Sequence, residues 1–167
     1  MCIRDRHDVV LWFTGDVQNP LSPTEMLLMQ EFVSAGGGLI LSGQHITSML
    51  PQYPDFAEFL GIASSIDSVY ALAVEGIAGE SLSEGLQAMV IGAPGAGNQT
   101  SPSAVTLSGN ARPLYNYFQT DQVAASIRSE GSGDVAFFGF GLEAVSGAAE
   151  TTPMEGVLQP LFEEMGW

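Results

Sequence analysis

Apolar residues occur along this chain in short continuous runs and in helical repeats. The run "HDVVLWFT", residues 7–14, predicts a strand buried on both faces, because such strands are apolar at every position. Ser22-Pro23-Thr24-Glu25 predicts a helix start, with serine at the N-cap, proline in the first turn and glutamate three residues after the cap. Residues 39–42, "LILS", predict the next strand. The order strand, helix, strand with short connections predicts parallel pairing and a right-handed crossover.

The rest of the chain predicts shorter elements. Helices are expected at 45–50 and 54–60, and a last helix is expected to begin at Pro153 with Thr151 or Thr152 as its cap. A buried strand is expected within 134–145, "DVAFFGFGLEAV". The middle third contains β-like runs separated by Gly, Ser, Pro and Asn, at 69–77, 86–92, 103–109, 113–119 and 123–131. Its stretch "GAPGAGNQTSPS", 92–103, predicts a flexible loop.

The charge is strongly acidic. Nineteen Asp and Glu residues stand against four Arg and Lys residues, which gives a net charge of −15, and lysine is absent. Such a surface repels nucleic-acid phosphates and anionic membranes, so we expect neither as a partner. No apolar run reaches the 18 residues or so that a membrane span needs. The charge fits a secreted or cell-surface protein or one from a salty habitat, and it fits lineage bias equally well.

The first six residues, "MCIRDR", match the conceptual translation of a sequencing-library adapter. Residues 1–6 are therefore predicted to be a scar, and residues 7–167 to form one domain. Cys2 is the sole cysteine and lies in this segment. The remainder then has no thiol nucleophile, disulfide or cysteine-based zinc site.

The segments "DVVLWFTGD", "LS(x)TE", "F(x)SAGGGLILSGQHI" and "FFGFGLEAV" together resemble the class I glutamine amidotransferase-like domains of secreted bacterial proteins. The resemblance implies a three-layer α/β/α flavodoxin-like sandwich with a mostly parallel sheet. The middle third would add extra β-strands. Members of that family begin with a strand, a helix and a strand that are not found here. The resemblance therefore implies an N-terminally truncated domain with an open sheet edge around residues 9–13.

The same resemblance implies a site that lacks the catalytic residues of active amidotransferases. Active members carry a cysteine in the turn after the strand that matches "LILS", and a histidine before a Pro-Glu pair later in the chain. Here the turn reads Ser42, Gly43, Gln44 and His45, and the late motif reads Gly-Leu-Glu with Glu143 last. The nucleophile and the base are missing, which predicts a non-catalytic accessory or binding domain of a larger secreted protein, for example one appended to a peptidase.

The expected partners are neighbouring domains of the same parent chain, with no cofactor and no metal. An unknown small ligand or carbohydrate is a further expectation, because related domains of this architecture bind such molecules. Open α/β sheets place ligands at the carboxyl ends of their strands. The residues expected to bind there are Gly43, Gln44, His45, Asp16 and Glu143.

Two enzymatic alternatives remain open at this point. The candidate catalytic residues are Ser42, His45 and Glu143. Ser42 and His45 could act as a hydrolase pair, although Ser42 ends a strand instead of occupying the apex of a G-x-S-x-G turn. Their structural alternative is to cap the helix that follows. Asp16, Glu75 and Glu143 could converge on a calcium ion, although no D-x-D-x-D-G loop is present. Solvated acids on an acidic surface are the structural alternative to that metal site.

Overall fold

The computed structural model describes residues 8–91 and 95–167. The strands are β1 (Val9–Phe13), β2 (Gly38–Ser42), β3 (Ile62–Ile66), β4 (Ala73–Gly76), β5 (Gln87–Met89), β6 (Ala104–Leu107), β7 (Arg112–Tyr117), β8 (Val123–Glu130) and β9 (Gly133–Phe138). The helices are α1 (Pro23–Ser34), α2 (Ile46–Met49), α3 (Pro54–Leu60) and α4 (Met154–Glu164), with 3-10 turns at Leu50–Gln52, Leu142–Ala144 and Ala148–Glu150. The predicted scar at 1–6 and the first part of the predicted loop, 92–94, lie outside the described residues.

The start of α1 is the capping box that the sequence predicts. Ser22 Oγ accepts a hydrogen bond from Glu25 N at 3.3 Å, and the Glu25 carboxylate accepts one from Ser22 N at 2.7 Å. These bonds satisfy backbone donors that an uncapped helix leaves open. The Ser22 hydroxyl also donates to the Glu25 carboxylate at 2.7 Å. This bond, followed by the one from Ser22 N, holds the pKa of Glu25 below its ordinary value.

Replacing Ser22 with alanine is expected to cost about 1 kcal/mol of unfolding free energy at pH 7. Glu25 has a lowered pKa in the folded state, so its contribution is present above the unfolded pKa and is lost as the pH falls through the folded pKa. The cost of Ser22→Ala should therefore shrink in acid. Urea unfolding curves at neutral and acid pH measure it. Thr24→Ala, at the exposed neighbouring position, is the matched control. An equal cost at both pH values would show that Glu25 takes no part.

The nine strands form a mixed, curled sheet with the order β1-β2-β9-β8-β7-β4-β5, while β6 pairs with β8 and with β3. Among the strands of the described residues, only the pairs β1–β2 and β2–β9 are parallel. The other six pairings between named strands are antiparallel. The predicted flavodoxin-like sandwich with a mostly parallel sheet is therefore wrong, although the predicted parallel pairing of the first two strands is confirmed.

Short connections explain the antiparallel majority. Glu130 pairs with Gly133, so only Gly131 and Ser132 separate β8 from β9, and Gly131 has a φ of +65°. A two-residue turn joins antiparallel strands, whereas a parallel pair needs a crossover of a dozen residues or more. The chain between β7 and β8, residues 118–122, is also too short for a crossover. The short spacing between the apolar runs of the sequence therefore already favoured antiparallel pairing in this part of the chain.

Two apolar cores lie on opposite faces of the sheet. Ile40 of β2 points into a core that α4 covers with Val157, Leu158 and Leu161. The neighbouring residues of β2 point into the other core, which α1, α2 and α3 cover; its fully buried members include Val33, Leu39, Leu41 and Ile46. The alternation along β2 thus places helices on both sides of the parallel strands.

The beginning of α4 differs from the prediction. Its N-cap residue is Pro153, which makes no side-chain capping bond. Thr151 Oγ1 instead donates to Ala148 O at 2.7 Å, and Thr152 N donates to Gln87 O at 2.7 Å. Thr151 therefore stabilises the preceding turn, Thr152 binds strand β5, and neither threonine caps the helix.

Strand β1 lies at one end of the sheet. It pairs with β2 and with no other strand of the described ranges. Val9, Val10, Leu11 and Trp12 are half-buried, and the side chain of Phe13 is 43% exposed. An apolar strand is thus paired on one side only, as expected from the sequence, while the N-terminal truncation itself stays a prediction. No helix in the described part of the chain is long and apolar enough to cross a membrane.

Candidate functional site

The carboxyl ends of β1, β2 and β9 meet at one edge of the sheet, which we call the carboxyl edge, formed by residues 14–18, 43–45 and 139–145. Three backbone hydrogen bonds join these loops. Thr14 N donates to Ser42 O at 2.9 Å, Gly43 N to Phe138 O at 3.3 Å, and Gln44 N to Gly15 O at 3.0 Å. Parallel pairing therefore brings the predicted turn "SGQH" between the loops that follow β1 and β9.

Ser42 is completely buried and fully hydrogen-bonded. Its Oγ donates to Phe140 O at 2.9 Å and accepts from Leu142 N at 2.8 Å. Both partners belong to the backbone of the loop after β9. The hydroxyl is therefore committed to holding that loop, and no hydrogen bond joins Ser42 to His45 within the described ranges.

His45 occupies the N-cap position of α2 with a left-handed backbone, φ 63° and ψ −2°. A non-glycine residue in this region is uncommon and carries strain. The ring makes no capping bond to the helix. Its Nε2 instead lies 3.1 Å from Nε2 of Gln18, in the loop after β1. The structural alternative, in which Ser42 and His45 cap the helix through their side chains, is wrong.

Gln44 is completely buried and binds a segment that the sequence assigned to a flexible loop. We call residues 95–101 the covering segment. Gln44 Oε1 accepts hydrogen bonds from Thr100 N and Ser101 N, each at 2.6 Å. Its Nε2 donates to Asn98 O at 2.8 Å. One buried amide thus holds the covering segment on the carboxyl edge through three backbone groups.

Glu143 meets the covering segment from the other side. Its Oε1 accepts from Asn98 Nδ2 at 3.0 Å, and its backbone oxygen accepts from Ala96 N at 3.1 Å. Its Oε2 is buried without a hydrogen-bond partner. Gln99 Oε1 also accepts from Gly141 N at 3.1 Å. Sequence reasoning missed Asn98 and Gln99, because loop composition does not show what a loop binds.

The predicted ligand residues are thus only partly assembled. Gly43, Gln44 and His45 lie in the turn, and Glu143 joins Gln44 through the covering segment. Asp16 is exposed in the loop after β1.

The predicted acid cluster is not formed. Glu75 lies on β4, far along the sheet order, where its Oε1 accepts from Gln119 N at 3.0 Å. In the part of the chain that the structure describes, no group of three or more His, Cys, Asp or Glu residues is placed to hold a metal ion. The arrangement of Asp16, Glu75 and Glu143 around calcium is therefore absent there.

Both arginines of the described ranges are in ion pairs. Arg112 contacts Glu80 and lies 3.6 Å from Glu164. Arg128 contacts Glu130 on the same strand and donates to Glu58 O. The described part of the chain thus presents no unpaired arginine beside its many acidic groups.

Two open grooves lie beside α3, away from the carboxyl edge. The larger, which we call the β3 groove, lies between α3 and residues 62–65 of β3 and has a volume of about 530 Å³. The smaller, of about 240 Å³, lies between α1 and the start of α3. None of the predicted site residues lines either groove.

Comparison with known proteins finds similar solved structures and no match by sequence. No family model matches the chain. No curated protein matches it either. A β-galactosidase from Rahnella sp. R3 is similar with a TM-score of 0.58 and 20% identity over 95% of this chain. A cytoplasmic protein from Salmonella typhimurium is similar with a TM-score of 0.63 and 13% identity, over 96% of this chain and 72% of its own.

The mmIFT52 N-terminal domain is also similar, with a TM-score of 0.62 and 11% identity, over 95% of this chain and 76% of its own. The chain spans about a fifth of the length of the β-galactosidases it matches, 22% for the Rahnella enzyme. At these identities the matches show a shared fold and no shared activity.

These findings correct the resemblance drawn from the sequence. Four of the matching structures are β-galactosidases. The mixed, mostly antiparallel sheet is not the flavodoxin-like sandwich that an amidotransferase-like domain implied. The assignment to class I glutamine amidotransferase-like domains is therefore wrong. A cysteine or histidine missing from positions matched to that family therefore carries no information about function, whereas the geometry of the carboxyl edge does.

Proposed function

We propose that this chain is a non-catalytic accessory or binding domain of a larger protein. The observation that carries the proposal is that the buried Ser42 hydroxyl is hydrogen-bonded to two backbone groups of the loop after β9. A nucleophilic hydroxyl needs a base within hydrogen-bond reach and access to substrate. Ser42 has neither, and its hydrogen bonds instead hold the end of β2 against the loop after β9.

The matches in solved structures support a role inside a larger polypeptide. A unit of this fold makes up 22% of the Rahnella β-galactosidase chain. We propose that the present chain likewise serves neighbouring domains of a parent protein. Its acidic surface, with a net charge of −15, suits a secreted or cell-surface protein and disfavours nucleic-acid partners.

A small-ligand site at the carboxyl edge is the second candidate. Glu143 Oε2 favours it, because this buried oxygen has no hydrogen-bond partner and lies beneath the covering segment. A carboxylate oxygen in that state would accept a hydrogen bond from a hydroxyl-bearing ligand such as a sugar. Such a ligand would compete with the covering segment for the carboxyl edge.

The first proposal predicts that Ser42→Ala changes stability and no activity. The purified chain is expected to hydrolyse neither p-nitrophenyl acetate nor p-nitrophenyl β-galactoside above the buffer rate. Ser42→Ala should lower the unfolding free energy by about 1–3 kcal/mol, because Phe140 O and Leu142 N lose their buried partner. Hydrolysis assays and urea unfolding of both proteins test this.

Ser48→Ala is the matched control, since Ser48 is exposed and its hydroxyl donates to His45 O. It should cost much less stability. Turnover by the wild-type chain that Ser42→Ala or His45→Ala abolishes would overturn the non-catalytic assignment.

A further inference from the structure

The β3 groove runs along one edge of a strand. Its lining includes Ile62, Ala63, Ser64 and Ser65, four consecutive residues of β3. Successive residues of a strand point to opposite faces, so a groove lined by all four includes the edge of the strand. Ser108, which follows β6 and donates to Gly61 O, lines the groove at the start of β3. The register of β3 shifts between Ile62 and Ser64, which is the sign of a β-bulge.

This edge of β3 lacks a strand partner. β3 pairs with β6 and with no other strand of the described residues. A strand that is paired on one side presents a row of unpaired N–H and C=O groups on the other. β3 therefore offers backbone donors and acceptors along the floor of the groove.

The opposite wall is largely apolar and carries one carboxylate, that of Glu58. Pro54, Ala57 and Glu58 line it from α3, at the i, i+3 and i+4 spacing of one helix face. Leu50 and Pro51 continue this wall towards α2. Small apolar side chains alternating along an extended peptide would pack on it, while the peptide backbone faced β3.

Charge selects among possible peptides. Glu58 is exposed and lines the groove, and its carboxylate is in none of the ion pairs of the described residues. The whole chain carries a net charge of −15. A second copy of this chain would be repelled, whereas a lysine- or arginine-bearing segment would be attracted.

We propose that the β3 groove is a peptide-binding site that takes a basic, extended segment of another polypeptide as an added strand on β3. The segment places β-branched or small apolar side chains against α3 and a basic side chain near Glu58. This is strand addition at an open sheet edge, in which main-chain bonds supply affinity and side-chain contacts supply specificity. The proposal is independent of the carboxyl edge and of the absence of catalysis there.

The test uses the full chain and a fluorescein-labelled peptide of sequence KVTVTVK, followed by fluorescence anisotropy. Binding is expected to be saturable and to weaken at high salt. Ala57→Arg, which places a long cationic side chain in the groove, should weaken it about tenfold or more. Leu28→Arg on α1 makes the same charge change at a position that is already 57% exposed, outside both grooves, and should leave the affinity within a few-fold.

Backbone pairing is tested with two further peptides, N-methylated on every second amide in the two possible phases. Strand addition to one edge predicts that one of them binds like the parent and the other does not. Equal binding by both, or binding by neither, would overturn the strand-addition proposal. Circular dichroism checks that Ala57→Arg is folded, and Glu58→Gln provides a second variant, which should reduce the preference for KVTVTVK over an EVTVTVE peptide. Absence of any saturable binding by KVTVTVK also overturns it.

Discussion

Gly43→Ala is expected to lower the free energy of unfolding by about 3 kcal/mol or more, which is the combined scale of backbone strain and overpacking. A Cβ on Gly43 would lie 1.7 Å from Thr14 Oγ1 and 2.9 Å from Thr14 Cβ. The φ of Gly43 is +156°, a conformation that residues with side chains rarely adopt. Glycine at this position therefore lets the ends of β1 and β2 approach each other, and urea unfolding measures what that approach contributes.

Two control variants separate the cost of the backbone conformation from the cost of the steric clash with Thr14. Gly79→Ala also has a positive φ, +81°, but a Cβ there meets nothing within 4 Å, so it reports the conformational cost alone. The double variant Thr14→Gly with Gly43→Ala removes the clashing side chain and should recover part of the loss relative to the sum of the single variants. If Gly43→Ala costs no more than Gly79→Ala, the close packing of the two strand ends is not as described.

Gln44→Ala is expected to lower the unfolding free energy by about 2–4 kcal/mol, the range for losing a buried hydrogen-bond network. The substitution leaves Thr100 N and Ser101 N without their acceptor and Asn98 O without its donor. The covering segment should then detach more often than the rest of the sheet. Hydrogen exchange followed by mass spectrometry should show faster exchange at residues 95–101 and little change in β8 and β9.

The control for this variant is Gln159→Ala, because the Gln159 side chain is exposed on α4 and bonds only the neighbouring Glu163 at 2.9 Å. It should leave both stability and exchange nearly unchanged. Unaltered exchange at 95–101 in Gln44→Ala would mean that Asn98 and Gln99, through Glu143 and Gly141, suffice to hold the covering segment.

Local elements were predictable because their causes lie within a few residues. The capping box at Ser22 and Glu25 predicted the start of α1, and the prediction of α3 over 54–60 agrees with the structure. The apolar run before Thr14 predicted β1. Strand β3 was missed because its sequence, "IASSI", is polar in the middle and is paired through a bulge. Its partner, β6, lies about 40 residues further along the chain.

The sheet and the site depend on contacts that are distant in sequence. The motifs that resemble amidotransferase-like domains imply a parallel sheet, whereas the two-residue connection at Gly131 favours an antiparallel hairpin. From the sequence alone Ser42 is a candidate nucleophile, because the sequence does not show that its hydroxyl bonds Phe140 O and Leu142 N, about 100 positions away. The role of Gln44 was hidden for the same reason, since its partners belong to a stretch that is loop-like in composition.

Strand β1 pairs with β2 alone among the described strands, which has a consequence for the protein at high concentration. Its outer edge, roughly 17 Å long for five residues, has no lysine or proline to discourage a second strand. Two such edges attract each other only at contact, whereas a net charge of −15 repels at longer range. At physiological ionic strength that repulsion reaches only about 8 Å from the surface. Counter-ions and acidity are therefore expected to control the colloidal stability of the protein, because the acidic residues oppose the pairing of two β1 edges.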